Sequence, residues 1–528
     1  MSKNISKTIN SNNKTKTLCL YFELHQPFRL NLPQNIDELE TKLQNQIDIQ
    51  NTQNIDKNDN SKINFADFTL GPSGTNTEFL YGNKIIFDKI CTFSYLPGLT
   101  FWLQMLEKLP NLKLTLGLSG TFLAQLETSK FGQEIIQIIK KMLKTGKMEL
   151  LAETYYHSIS SLFTDSDPNK LEKKEFVRQI KLHTLTLQRI FDYTPTSFRN
   201  TELIFNPQIG QIIKELNYKV QVISKPKITK DNQKAVNLAI LKDEFDQKKD
   251  QNNQETPKNQ TKNELKLALA NFEATMFFFF VHRNDEFKAF FRNYPDSLEV
   301  LGTDFEIFGE HNGNSIFDLW ENLLLEIDNS WNFVTVSELT TFGQTDPDTL
   351  ERTVEINLET QKTQENLQNI EQNERQNETD NSKIPKNFTK INNSEPKKLP
   401  IYQEIFPSST TSWTNSTQNL VSWLGNSNQD QCFVKLQEVY NKVQNLEKTG
   451  KLNTINIKTG LKNEELKTQI WDFFGKLSTS DNFYYISDLP GDDGKLHAIF
   501  NAYPSPIIAF ETFWRILNFF EKYLQTLE

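Results

Sequence analysis

Cysteine is scarce: the 528-residue chain has three, Cys19, Cys91 and Cys432, far apart and in no zinc or redox spacing. That count argues against a disulfide framework and fits buried free thiols in a reducing compartment. A continuous apolar run of about 18 residues is absent, so no membrane-spanning helix is expected. Concentrated Lys/Arg blocks are missing too, and the 67 acidic residues outnumber the 58 basic ones for a net charge of −9. A nucleic-acid binder needs a concentrated basic surface, so none is expected here. The N-terminal MSKNISKTINSNNKTKT is polar and has no apolar core of a signal peptide, which predicts a cytoplasmic protein. Hydrophobic residues make up only 37%, low for a fully folded chain of this length, so part of it is expected to lie outside any core.

What is present is an alternation of short apolar strands with amphipathic helices. Strands are predicted at 17–24 (TLCLYFEL), 112–118, 147–152, 196–199, 218–223, 275–281 (TMFFFFV), 297–302 and 331–336. Helices are predicted over 95–109, 131–145, 171–191, 207–216 and 315–326. Three polar stretches interrupt the pattern. Those near 35–64 and 226–263 read as surface insertions, the first poorly ordered or loosely helical, and 346–399 reads as a low-complexity linker. From 400 onward the pattern turns helical, at 428–448, 463–476 and 503–527. This divides the chain into a strand–helix domain (1–345), the linker, and a helical domain (400–528) packed against the first.

Repeated strand–helix alternation indicates a parallel sheet. Almost every strand ends in ionisable residues: His25, Glu153, Glu202, His282 and Asp304. A β/α barrel needs that asymmetry, because its site gathers loops from the C-terminal ends of many strands. An open doubly wound sheet is the alternative, but no Gly-rich phosphate fingerprint follows the first strand.

The densest polar stretch is LGTDFEIFGEH (301–311), where Asp304, Glu306, Glu310 and His311 crowd beside apolar mass. Such crowding in a soluble chain points to neighbours that use those groups. Cleaving a glycosidic bond with retention needs a protonated acid at the leaving oxygen and a carboxylate nucleophile opposite it. Asp304 and Glu202, each just past a strand end, are the candidates. Each could equally be a helix N-cap or a loop charge. Glu153 and His157, four residues apart, could instead join His25, Asp304 and His311 as metal ligands, as a metal-dependent polysaccharide deacetylase would need. No HxxxH pair supports that arrangement.

HQPFRL (25–30), ELLAETYYHS (149–158), FRNTELIFN (198–206) and LGTDFEIFGEH occur in an order that resembles glycoside hydrolase family 57, its α-amylase-like branch. SWLGN (422–426), TSDNFYY (479–485) and LHAIFNAYPSP (496–506) resemble motifs of the same branch's helical part. The resemblance implies an incomplete (β/α)7 barrel followed by a C-terminal helical domain. It also implies a retaining enzyme on α-1,4-linked glucans or maltooligosaccharides, by hydrolysis or transglycosylation, with no metal or other cofactor in the chemistry. Glu202 would be the nucleophile and Asp304 the acid/base. His25 would touch the sugar, Glu153 and His157 would line the pocket wall, and His311 would face the substrate.

The chain departs from the family pattern in places. After Ser412-Trp413 the usual A-D-x-x-R-D is Thr414-Asn415-Ser416-Thr417-Gln418-Asn419, the usual Tyr and Thr of the acid region are Phe305 and Ile307, and Asn482 replaces a His. Trp413 and Trp423 are candidate stacking platforms for sugar rings, with ordinary interface packing the alternative. A drifted cleft would leave a glucan-binding protein without turnover.

Overall fold

The computed structural model describes residues 16–51, 63–71, 82–165, 167, 169–225, 238–242, 265–271, 289, 298–310, 313–328, 330–341, 353–357, 410–413, 418–453, 463–489 and 501–528. Strand β1 (Lys16–Leu24) is the organising element, buried along nearly its whole length. Its continuous apolar run is what a central parallel strand requires, since both faces are covered. Strand β8 (Leu298–Asp304) pairs with it from Thr17↔Leu298 to Glu23↔Asp304. On the other side it pairs with β2 (Leu114–Leu118) near its C-terminal end and β9 (Trp331–Val334) near its start. Strand β3 (Met148–Leu150) continues this sheet beyond β2.

A second sheet has the order β10-β6-β7-β5-β4. It comprises β4 (Ser197–Arg199), β5 (Val220–Ser224), β6 (Leu238–Lys242), β7 (Leu265–Ala270) and β10 (Thr353–Asn357). Just past β3, Ala152 N–H donates to the Ser197 carbonyl at 2.9 Å, and Arg199 N–H donates to the Ala152 carbonyl at 2.9 Å. Just past β7, Asn271 N–H donates to the Val300 carbonyl of β8 at 3.0 Å. Parallel strands need long crossovers, and helices supply them. One is Gly132–Lys144, whose Ile135, Ile136, Ile138, Ile139 and Met142 make a buried face. His25, Glu153, Glu202 and Asp304 therefore arrive at the same end of the parallel strands.

Three stretches differ from the sequence-based expectation. Ile36–Asn51, expected to be a surface insertion, poorly ordered or loosely helical, is a 16-residue helix with Ile36 and Leu43 in the core. Arg515 clamps it, donating to Glu40 at 2.8 and 2.9 Å and to Asp37. Within the second polar stretch, LAILK is strand β6, antiparallel to β7. Within the third, TVEIN is strand β10, parallel to β6. In the two strands a few apolar or β-branched residues suffice once a neighbouring strand offers its edge, and average composition hides them. Strand β7 starts just after the expected insertion, and the strand expected at 275–281 lies outside the described residues.

The C-terminal helices Ser427–Lys448, Asn463–Leu477 and Pro506–Gln525 match the expected helical pattern. Asn426 caps the first of them with a reciprocal Gln429 contact, and Ser505 with Pro506 starts the last. They share one core cluster with the strand–helix part, where Phe163 meets Tyr440 at 5.3 Å and Phe65 stacks on Phe473 at 4.5 Å between ring centroids. Cys19, Cys91 and Cys432 are buried free thiols. Among the described residues no helix is long and apolar enough to cross a membrane.

Gly302 of β8 leaves the space filled by the Tyr21 ring; a Cβ there would lie 1.7 Å from a ring carbon. Gly302→Ala is therefore expected to destabilise the fold by about 1–3 kcal/mol. Urea unfolding would read this as a lower midpoint, and an unchanged midpoint would mean that β1 and β8 are not held as tightly as described.

Candidate active site

Glu202 sits in a short turn, Thr201–Leu203, directly after β4. Its backbone is left-handed (φ 55°), as are Leu203 (φ 51°) and His157 (φ 49°). Each such non-glycine conformation costs about 1–3 kcal/mol and persists only where surroundings enforce it. Here Asn200 donates to the Ile204 carbonyl at 2.8 Å and to the Ser161 hydroxyl at 2.9 Å, and the Thr154 and Thr201 hydroxyls meet at 2.6 Å. The enforced turn sets the direction of the Glu202 carboxylate. Its Oε2 accepts from the Trp413 indole N–H at 2.9 Å and its Oε1 from the Ser480 hydroxyl at 3.0 Å. His157 Nε2 lies 3.4 Å from the same Oε1. Burial works to raise the Glu202 pKa, but the His157 imidazole and the Arg199 guanidinium outweigh it and hold the carboxyl below its ordinary value.

Asp304 ends β8 and is half-buried. Burial, reinforced by the Glu306 and then the Glu202 carboxylate, holds its pKa well above the usual carboxylate range. Glu306 is fixed by donors from Gln26 (3.0 Å) and Tyr95, and burial pushes its pKa up to about 7. Asp304 thus feels the Glu202 charge, and the two candidate carboxyls are shifted in opposite directions.

His25 follows β1. Its Nδ1 faces the Ser119 hydroxyl at 2.8 Å, its Nε2 faces Asp481 at 3.0 Å, and its ring stacks on His157 at 3.8 Å. Burial works against the Asp481 charge, but His25 prevails and holds that carboxyl at about 2. Beneath these rings lies a sealed charged layer. Arg199 is 1% exposed, with Nε 3.4 Å from Glu23 Oε2. Gly117 makes room for Glu23, since a Cβ there would lie 2.0 Å from that oxygen. Glu153 is 0% exposed, with Oε2 3.2 Å from His157 Nδ1.

Two expectations need correction. Glu153 does not line a pocket wall: it is sealed behind His157 and meets no solvent. Trp423 is no stacking platform, because it is 0% exposed within the core shared with the C-terminal helices. Trp413 is half-buried and spends its N–H on Glu202. His311 and residues 414–417 lie outside the described residues. Of the altered segment, Gln418 donates to the Ser224 hydroxyl at 3.0 Å and the Lys225 carbonyl at 2.9 Å, tying it to the end of β5. Phe305 and Ile307 are core residues, and Asn482 donates to the carbonyls of Lys476 and Leu477. Among the described residues, the departures at Phe305, Ile307, Gln418 and Asn482 therefore fall on packing and turn positions.

Sequence reasoning missed Glu23, Arg199, Ser480 and Asp481. Glu23 had a signal, a lone carboxylate in an apolar strand, and Ser480 and Asp481 lie in the TSDNFYY motif. Glu23, Glu153 and His157 bring three ligand atoms within 4.8 Å of one another. Arg199 already supplies the positive charge at that spot, so a divalent cation would meet repulsion there.

The protein-family model described as Glycosyl hydrolase family 57 matches residues 19–359. A protein of Methanocaldococcus jannaschii, provisionally named an alpha-amylase, is 25% identical over 521 residues, covering 96% of this chain and 84% of its own length. The crystal structure of a GH57-type branching enzyme from Pyrococcus horikoshii is 10% identical and superposes with a TM-score of 0.53, covering 92% of this chain and 87% of that one. That likeness gives the same α/β fold. On a family match that spans more than half its length, the chain belongs to glycosyl hydrolase family 57.

Proposed function

We propose that the protein is a retaining glycoside hydrolase or transglycosylase acting on α-1,4-linked glucans. Its two sheets are read as arcs of one incomplete seven-stranded ring, β1-β2-β3-β4-β5-β7-β8, with the C-terminal helices as a wall of the site. The observation that carries this reading is that, in a chain of this family, Glu202 lies just past β4 and Asp304 at the end of β8, close enough for the Glu202 charge to act on Asp304, with the first favoured ionised and the second favoured protonated.

In the first step a Glu202 oxygen attacks the anomeric carbon while Asp304 gives its proton to the departing glycosidic oxygen, which leaves as an alcohol. The anomeric carbon is then bound to Glu202 as an ester, and Asp304 is ionised. Loss of the Glu202 charge removes one of the influences that raised the Asp304 pKa only after its proton has gone; it leaves the new carboxylate easier to keep. In the second step that carboxylate takes a proton from water or a sugar hydroxyl, whose oxygen attacks the anomeric carbon and releases Glu202. Two inversions retain configuration. Hydrogen bonds from Trp413 and Ser480 stabilise the attacking carboxylate and fix its orientation, and His25 reaches the pocket from β1 to meet the sugar.

Glu202→Gln and Asp304→Asn are each expected to abolish turnover of maltooligosaccharides of defined length while the fold, followed by circular dichroism, survives. Products of the wild type should keep the α-anomer, and a chelator should leave the rate unchanged. Near-normal turnover in either variant would reject the assignment. Absence of any product from the wild type would favour the glucan-binding alternative, and zinc-restored activity after chelation the deacetylase one.

Trp413→Phe removes one N–H donor to an ionised oxygen, an interaction of about 1.5–3 kcal/mol. The expected result is a loss of about tenfold or more in kcat/KM. Losing a donor to the anion raises the Glu202 pKa, so the acid limb of the pH profile moves to higher pH. A limb that stays in place would mean that the indole does not act on Glu202.

A further inference from the structure

We propose that Glu153 is a positioning residue for Glu202: through His157 it selects which imidazole nitrogen carries the proton, so that Nε2–H is aimed at the Glu202 carboxylate. The tautomer rests on the line of contacts together with an ionised Glu202, while its consequence for turnover rests on the functional reading above.

The three groups form a line. Glu153 Oε2 is 3.2 Å from His157 Nδ1, and on the far side of the ring Nε2 is 3.4 Å from Glu202 Oε1. A neutral imidazole has one donor and one acceptor nitrogen, and the partner of one fixes the role of the other. Glu202 accepts from Trp413 and Ser480 and, as a carboxylate, has no proton to give Nε2, so Nε2 is the donor; in a neutral ring Nδ1 is then the acceptor, and the proton between it and Oε2 sits on Glu153. Burial, then the Glu23 charge, hold the Glu153 pKa well above its ordinary range, so the proton is available. Burial, then the adjacent His25, lower the pKa of His157, which keeps the ring neutral.

The surrounding charges are consistent with this division. Glu23 Oε1 is 3.9 Å from His157 Nδ1, farther than Glu153, and its other oxygen is 3.4 Å from Arg199 Nε. Glu23 is therefore the nearer partner of Arg199, and Glu153 the nearer partner of the imidazole. His25, stacked on the other face of the ring, is matched by Asp481. From behind, the Glu153 backbone N–H donates to His183 Nδ1 at 3.3 Å, and His183 Nε2 faces the Leu118 carbonyl at 2.7 Å. Glu153 is 0% exposed and so acts on a sugar only through His157. No net proton transfer along the line is required: the same Nε2–H can donate to Glu202 as a carboxylate and as a glycosyl ester.

The chain has six histidines, which makes histidine-selective ¹⁵N labelling practical. Two-bond N–H correlation spectra of the full-length protein near neutral pH, with His157 assigned by its loss in His157→Gln, should show a neutral ring protonated at Nε2. Glu153→Gln keeps a donor to Nδ1 and should preserve that tautomer and most of the turnover. Glu153→Leu removes the donor and should mix or reverse the tautomer. In that variant kcat should fall about 10²-fold with KM little changed, and the acid limb should move upward in pH. An Nδ1–H or doubly protonated His157 in the wild type overturns the proposal, as does a Glu153→Gln protein with the defects of the Leu variant. If Glu153→Leu does not fold, the wild-type spectrum and the Gln variant still decide. A wild type inactive on every glucan would sink the functional reading while the spectra judged the tautomer independently.

Discussion

A guanidinium sealed under the pocket floor is the constraint on which the site depends. Arg199 is fully enclosed, and the carboxyls of Glu23, Glu153 and Glu202 all act on it. Burying an ion costs several kcal/mol unless it is paired, so one cation cannot keep every nearby carboxyl ionised. Glu23 lies against Arg199. Glu202 gains from the same cation and also has donors from Trp413 and Ser480. Glu153 and Asp304 are left with burial and like charge as the dominant influences, and both are pushed toward the protonated form. In the proposed roles, a nucleophile and an acid of the same chemical type would thereby be given different protonation by position alone, which is what two-carboxylate catalysis needs.

Holding that arrangement requires two distant parts of the chain. Ser480 and Asp481 come from the helical segment, while Glu202 and His25, which they touch, follow strands β4 and β1. Those contacts are possible because the helices and the strand–helix part bury a common aromatic core instead of meeting across a wet interface. Tyr156 illustrates the coupling. It follows β3, its hydroxyl donates to Asp472 at 3.0 Å, and its ring fills the space that Gly475 leaves. Local strain at His157 and Glu202 is sustained by this surrounding packing, and the directions of both side chains are fixed before any substrate arrives.

Much of the site was legible because strand ends carry ionisable residues when their loops converge, which is how Glu202, Asp304 and His25 stand out. Period and burial work against the rest. Glu23 lies inside an apolar strand, where its outward or inward direction depends on a pairing register that no local pattern reveals. Ser480 lies 278 residues from the Glu202 it serves, and Asp481 456 from His25. Trp423 sits in a polar-looking SWLGN motif, yet the ring turns into the core. Strands β6 and β10 are short apolar pieces in polar surroundings, and only the edge of β7, then of β6, gives them a place to pair. Helix positions were the easiest to read, because a 3.6-residue apolar stripe persists over several turns.

The central claim is that Glu202 is ionised and Asp304 protonated in the same resting molecule. Infrared difference spectroscopy near neutral pH tests it most directly, comparing the wild type with Asp304→Asn and with Glu202→Gln. The account predicts that the first substitution removes a protonated-carboxyl stretching band and the second removes carboxylate bands. Loss of a carboxylate signature from Asp304→Asn would contradict it.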